Sequence, residues 1–198
     1  MTKPKLRELG EAVKAIVKGP YTIKFPKKPS VPYPAFRGKP EYNETECVGC
    51  GACFQVCPAK AIEQVDTVST KKRKFTLHLD NCIFCGQCEL NCITEKGIKL
   101  TQEYDLATTR RVELVEEVEK NLLFCELCGE VIGTYEHVRW LAKRLGPSAY
   151  TNPTVMLVSL KELDLAEETS SPDVKTPIRP DRIKILCPRC RKATTLEL

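Results

Sequence analysis

Eight of the twelve cysteines fall into two runs with identical internal spacing, "CVGCGACFQVC" from Cys47 to Cys57 and "CIFCGQCELNC" from Cys82 to Cys92. The second run begins 35 residues after the first, so the segment is an internal repeat. Thiols packed this densely must either oxidise in pairs or bind metal. The opening stretch, "MTKPKLRELGEAVKAIVKGP", has no apolar core leading to a small-residue cleavage site, and no segment approaches the roughly 18 apolar residues of a membrane span. An intracellular, soluble chain is therefore expected. In a reducing compartment, clustered Cys pairs are metal ligands rather than disulfides.

A Cys-x2-Cys-x2-Cys run curls around one corner of an iron–sulfur cubane, so that three thiolates reach three irons. The fourth cysteine, after three intervening residues, is expected at the start of a helix and facing away, and in two-cluster ferredoxins such a residue ligates the other cluster. Crossed in this way, one [4Fe–4S] cluster takes Cys47, Cys50, Cys53 and Cys92. The other takes Cys82, Cys85, Cys88 and Cys57. Pro58 follows Cys57 but Ile93 follows Cys92, so the two surroundings differ. The stretch from 41 to 100 is too short to bury a sufficient apolar core unaided, which makes the clusters its core.

The remaining cysteines form two Cys-x2-Cys pairs, Cys125 with Cys128 and Cys187 with Cys190, separated by 58 intervening residues. Paired knuckles of this kind build a tetrahedral S4 site for Zn or a single Fe, here expected to be structural rather than redox-active. Three four-thiolate sites, each formally near −2, bring the formal net charge of +5 to about −1. The basic excess thus balances metal sites, and nucleic-acid binding is not expected. Two histidines, no Gly-rich phosphate loop and no nucleophile–base arrangement leave no catalytic residue to name. All identifiable chemistry is electron transfer. Asn and Gln are scarce beside Lys, Arg and Glu, a balance that leans toward a thermophile.

Around the cysteines, Leu6, Leu9, Val13, Ile16 and Val17 mark an amphipathic helix over 5–18, stopped by Gly19-Pro20. Its apolar stripe can pack on its own domain or dock on a partner or membrane surface. Six prolines between Pro20 and Pro40 predict an extended arm. Phe75, Leu77 and Leu79 alternate with Thr76, His78 and Asp80, predicting a strand in a hairpin with 62–68 and a solvated His78. Helical spacing through Val112, Val115, Val118 and Leu122 predicts a helix over 109–123, and a further helix is expected over 134–145. "TVMLVSL" (154–160) reads as a strand, and 166–180 as a polar loop. The fold class expected is α+β. A bacterial-type 2[4Fe–4S] ferredoxin core (41–105) follows an amphipathic helix and Pro-rich docking arm (1–40). A small rubredoxin- or zinc-ribbon-like domain, built on the four remaining cysteines and including the expected helices, comes last (106–198).

The arm, the "FRG" segment and the first motif in "GPYTIKFPKKPSVPYPAFRGKPEYNETECVGCGAC", with "NCIFCGQCE", resemble the two-cluster ferredoxin-type subunit of respiratory complex I and of its membrane-bound [NiFe] hydrogenase and formate hydrogenlyase relatives. The resemblance covers about 1–105. "GIKLTQEYDLA" followed by two more Cys-x2-Cys pairs is similar to the formate hydrogenlyase-type branch, whereas Ile93 departs from the family's usual Pro. The resemblance implies a peripheral subunit at the cytoplasmic face of the cell membrane. It would pass electrons from an upstream donor, such as ferredoxin or a dehydrogenase, to a one-cluster small subunit beside the large catalytic subunit. Alternatives are the same relay in a sulfane-sulfur reductase or a quinone-linked complex, and a zinc-ribbon interaction module on a free ferredoxin.

Overall fold

The computed structural model describes residues 5–19, 22, 24–163 and 184–196. The chain divides into two units, Met1–Phe36 and Arg37–Leu198. In the first, α1 (Leu6–Lys18) is an amphipathic helix whose stripe is exposed from Leu6 to Val17. Gly19 ends it at φ 75°, a conformation costly for residues with a Cβ. The Pro-rich stretch is not continuously extended. Lys28 N–H reaches Lys24 O at 3.0 Å and Phe36 N–H reaches Tyr33 O at 2.8 Å, so the chain doubles back in two turns. The expected loop at 166–180 lies outside the described residues.

The second unit opens with β1 (Pro40–Tyr42), which pairs antiparallel with β4 (Ile98–Leu100) and so ties together the two ends of the repeat. Between them lie α2 (Ala52–Gln55), the hairpin β2 (Ile62–Thr67) and β3 (Lys72–His78), and α3 (Gln87–Leu90). The hairpin forms as its alternation dictates. Phe75, Leu77 and Leu79 are buried, while His78 stays partly exposed, 3.7 Å from Glu63.

The helix expected over 109–123 is a strand. A short 3-10 turn at Arg111–Glu113 leads into β5 (Val115–Phe124), which lies antiparallel along β3 with Phe75 opposite Val118. The same valines fit both periods: Val118, Lys120 and Leu122 are buried, and Glu117, Glu119 and Asn121 face solvent. β3 offers β5 a ladder edge, and backbone pairing outweighs the local 3.6-residue pattern. β6 (Val131–Thr134) completes a four-stranded sheet in the order β2-β3-β5-β6 that runs across residue 105.

The stretch "TVMLVSL" lies within α5 (Pro153–Glu162) and not in the expected strand. Asn152 caps it, its side-chain oxygen accepting from Thr154 N–H at 3.0 Å, and Pro153 occupies the first helical position. Thr154, Val155, Leu157 and Val158 form one buried face, so burial overrides β-branched propensity. α4 (Tyr135–Leu145) forms as expected, and α6 (Pro188–Leu196) ends the described chain.

Two apolar cores result. The first gathers Ala61, Ile62, Phe75, Leu77, Leu79 and Val118, with five of the repeat cysteines packed against it. The second gathers Leu123, Val138, Ala149, Val155, Leu157, Val158 and Ile185. β5 serves both, through Val118 and Leu123 on its opposite faces.

Candidate metal centres

The repeat is visible in the backbone as well as in the cysteines. Left-handed residues recur at the same offset: Gly49 (φ 67°) with Phe84 (φ 52°), Gly51 (φ 83°) with Gly86 (φ 78°), and Lys60 (φ 49°) with Glu95 (φ 61°). Gly51 and Gly86 turn the chain into α2 and α3, which place Cys53 and Cys88 within the helical turn. The fourth cysteines, Cys57 and Cys92, lie just beyond the ends of these helices and not at the start of one, because Val56 and Asn91 already close the turn. Each is thereby released toward the other half of the repeat. One cavity is lined by Cys47, Cys50, Cys53 and Cys92, and another by Cys82, Cys85, Cys88 and Cys57. Each cavity thus draws three cysteines from one half of the repeat and one from the other.

The lining of both cavities fits a thiolate-bound [4Fe–4S] group: apolar walls, four convergent sulfurs, and N–H donors aimed at sulfur. Ala61 N–H lies 3.3 Å from Cys57 Sγ, and Phe84 N–H lies 3.4 Å from Cys82 Sγ. Gly97 lacks a Cβ where one would stand 3.2 Å from both Cys47 Cα and Cys92 Sγ. Burial pushes the Cys53 thiol up to about 12 and the Cys88 thiol up to about 11. At Cys92 burial acts in the same direction, but the Thr94 hydroxyl 3.3 Å from its sulfur and nearby N–H groups prevail and lower it. Tyr42 Oη stands 3.7 Å from Cys53 Sγ; burial raises its phenol. Sequence reasoning missed Tyr42 and Thr94, neither of which carries a spacing signal.

The loop of the first motif is braced by β3, β5 and β6. Lys120 Nζ donates to Glu44 O, Arg73 Nη1 to Gly49 O at 3.1 Å, and the Thr134 hydroxyl to Val48 O at 2.6 Å. Thr134 is fully buried, and its oxygen also accepts from His137 N–H at the start of α4. The loop of the second motif has a lighter brace, Arg37 Nη1 to Cys85 O at 3.2 Å, from an exposed side chain.

At the other end of the second unit, the sulfurs of Cys125, Cys128, Cys187 and Cys190 all lie within 4.8 Å of one another, and Cys128 and Cys187 are 3.7 Å apart. A tetrahedral metal with bonds of about 2.3 Å to sulfur separates its ligands by roughly 3.8 Å, so the donor set fits one S4 site. Gly129, at φ 72°, lets the first knuckle turn, with its N–H on Cys125 O at 3.0 Å. Burial alone would raise Cys125, but N–H groups of Cys128, Cys187 and Leu127 overrule it and bring it down to about 6. The long insertion is closed by side chains. Glu126 accepts from Ile185 N–H and from Lys161 Nζ, both at 2.8 Å, and Thr154 Oγ1 receives Arg191 Nη2 at 2.8 Å.

Residues 46–96 match the 4Fe-4S dicluster domain family. Formate hydrogenlyase subunit 6 of Escherichia coli is 33% identical over 71% of this chain and 79% of its own length. NADH-quinone oxidoreductase subunit I 2 of Geobacter metallireducens is 31% identical over 62% of this chain and 98% of its own. Among solved structures, a chain of the archaeal membrane-bound sulfane sulfur reductase complex is 31% identical, with a TM-score of 0.42 over 58% of this chain and 61% of that one. The chain belongs to the ferredoxin-type, [4Fe–4S]-binding electron-transfer subunits of complex I-related complexes, the family of formate hydrogenlyase subunit 6 and NADH-quinone oxidoreductase subunit I.

Proposed function

We propose that this chain is the wire of a membrane-associated, hydrogenase-type complex. It passes single electrons through two [4Fe–4S] clusters, one on Cys47, Cys50, Cys53 and Cys92, the other on Cys82, Cys85, Cys88 and Cys57. The observation that carries the reading is the gathering of the cysteines into two crossed groups of four, each in its own apolar cavity. Crossed ligation binds each cluster to both halves of the repeat, which brings the two close enough for successive one-electron steps. Cys125, Cys128, Cys187 and Cys190 hold one Zn or mononuclear Fe that closes the C-terminal domain.

The donor is a ferredoxin or a dehydrogenase, and the acceptor is a one-cluster small subunit beside a large [NiFe] subunit. Among the described residues no helix is long and apolar enough to cross a membrane. In this reading attachment at the cytoplasmic face runs through partners, with residues 1–40 as the docking element, 41–105 as the wire and 106–198 as the metal-stabilised brace.

Anaerobic purification of the native complex through a tag on this chain, with mass spectrometry and metal analysis, tests the proposal. More than about eight irons per copy of this chain, those eight for its own two clusters and the rest for the partners' centres, and a co-purifying large subunit with two nickel-binding Cys-x2-Cys pairs are expected. A related large subunit without those pairs would move the same wire to sulfur or quinone reduction. A monomer with no companions would refute the complex.

A further inference from the structure

β3 and β5 place Arg73 directly opposite Lys120, two cations on neighbouring strands. Like charges at such a position repel, and a buried ammonium is costly without an anion beside it. Lys120 is only 9% exposed. Its contact is the Glu44 carbonyl, and among the described residues it makes no ion pair with a carboxylate. Arg73 is neutralised by Asp66, which it grips with two hydrogen bonds of 2.7 Å. Lys120 has no such partner, yet its alkyl chain lies against Gly49: a Cβ added there would stand 3.0 Å from Lys120 Cγ. Gly49 itself lines the first cavity, between Cys47 and Cys50.

The missing anion is the first cavity's own occupant. Four thiolates around an oxidised [4Fe–4S] core carry a formal charge of about −2, and one electron from the upstream donor makes it about −3. A buried cation stabilises the second state more than the first. At the other cavity, Lys39, next to the lining residue Pro40, is paired with Glu116 and Glu103, and the cation at its loop, Arg37, is exposed and screened by water. We infer that Lys120, carried on β5 from outside the repeat, is the counter-charge of the Cys47/Cys50/Cys53/Cys92 cluster and makes it the more readily reduced of the two. Electrons entering the wire then come to rest on that side, which gives the relay a direction.

This inference rests on the two-cluster reading above. The test is a redox titration of the intact complex followed by electron paramagnetic resonance, with each signal assigned by the cluster ligand whose change alters it, Cys50→Ser or Cys85→Ser. In the wild type, the signal sensitive to Cys50→Ser is reduced first. Lys120→Gln lowers the midpoint of that signal and leaves the other in place, and Lys120→Arg restores it. The inference is overturned if the Cys85→Ser-sensitive signal is reduced first, or if Lys120→Gln moves neither midpoint or both equally. Should Lys120→Gln fail to hold its cluster, the wild-type order alone decides. A wild type with fewer than two cluster signals would instead undo the two-cluster reading.

Discussion

Gly49 and Phe84 occupy the same place in the two halves of the repeat and share a left-handed backbone, yet substitution should affect them unequally. At Gly49 an added Cβ meets Lys120 Cγ and Thr134 Cγ2, each at 3.0 Å, and both belong to strands that cannot withdraw without opening the sheet. Gly49→Ala therefore combines the left-handed penalty of about 1–2 kcal/mol with an overpacking cost of about 1–3 kcal/mol. The total is about 2–5 kcal/mol. Phe84 already bears a Cβ at φ 52°, so Phe84→Gly relieves strain of about 1–2 kcal/mol while giving up the packing of a partly exposed ring, for a net change near zero. The assay is anaerobic bleaching of the visible iron–sulfur absorption by an iron chelator. If chelation proceeds from the opened loop, a shift of about 2 kcal/mol speeds one phase about 30-fold at roughly 1.36 kcal/mol per decade. Gly49→Ala is expected to accelerate one of two phases at least that much, and Phe84→Gly to change neither by more than a few-fold. Equal effects of the two substitutions, or acceleration of both phases by Gly49→Ala, would refute the idea that β5 and β6 press on one loop alone.

Three further outcomes are expected. Iron removal should abolish the near-UV dichroism of the second unit's first core, whose apolar residues pack against five of the repeat cysteines, and a native signal in the apo-chain would contradict this. Metal retention should respond to pH through the buried thiols. Burial pushes Cys53 up to about 12 and Cys88 up to about 11, so protons compete with iron for both sulfurs. The loaded protein should therefore release metal and lose stability as pH falls; metal content and urea midpoints against pH check this. Replacing Cys187 and Cys190 together with Ser should destabilise the C-terminal core around Ile185 and leave both cluster signals in place, as read by thermal melting beside paramagnetic resonance. Loss of electron flux with unaltered melting would make that site a redox iron instead.

The two cysteine groups are legible in the residues because a cubane would demand sulfur at fixed intervals, and that demand does not depend on what else folds around it. The same holds for α1, for the β2–β3 hairpin and for α4, where one period dominates a stretch bounded by Gly or a polar cap. Residues 115–124 and 153–162 defeat a reading from periodicity because their apolar spacing fits two periods. What decides between them is a strand edge on β3 in one case and the Asn152-Pro153 cap with a burial site against Ile185 in the other. Nothing local marks Lys120 as different from the other lysines. Only the register that sets it opposite Arg73 and beneath the first cysteine loop makes it a buried charge, since electrostatic strength depends on distance and desolvation, which chain order does not record. Cysteine spacing is thus enough to say which sulfurs group together; the unequal surroundings of the two groups are decided by the folded sheet, because only pairing across strands brings a distant lysine beneath one loop and not the other.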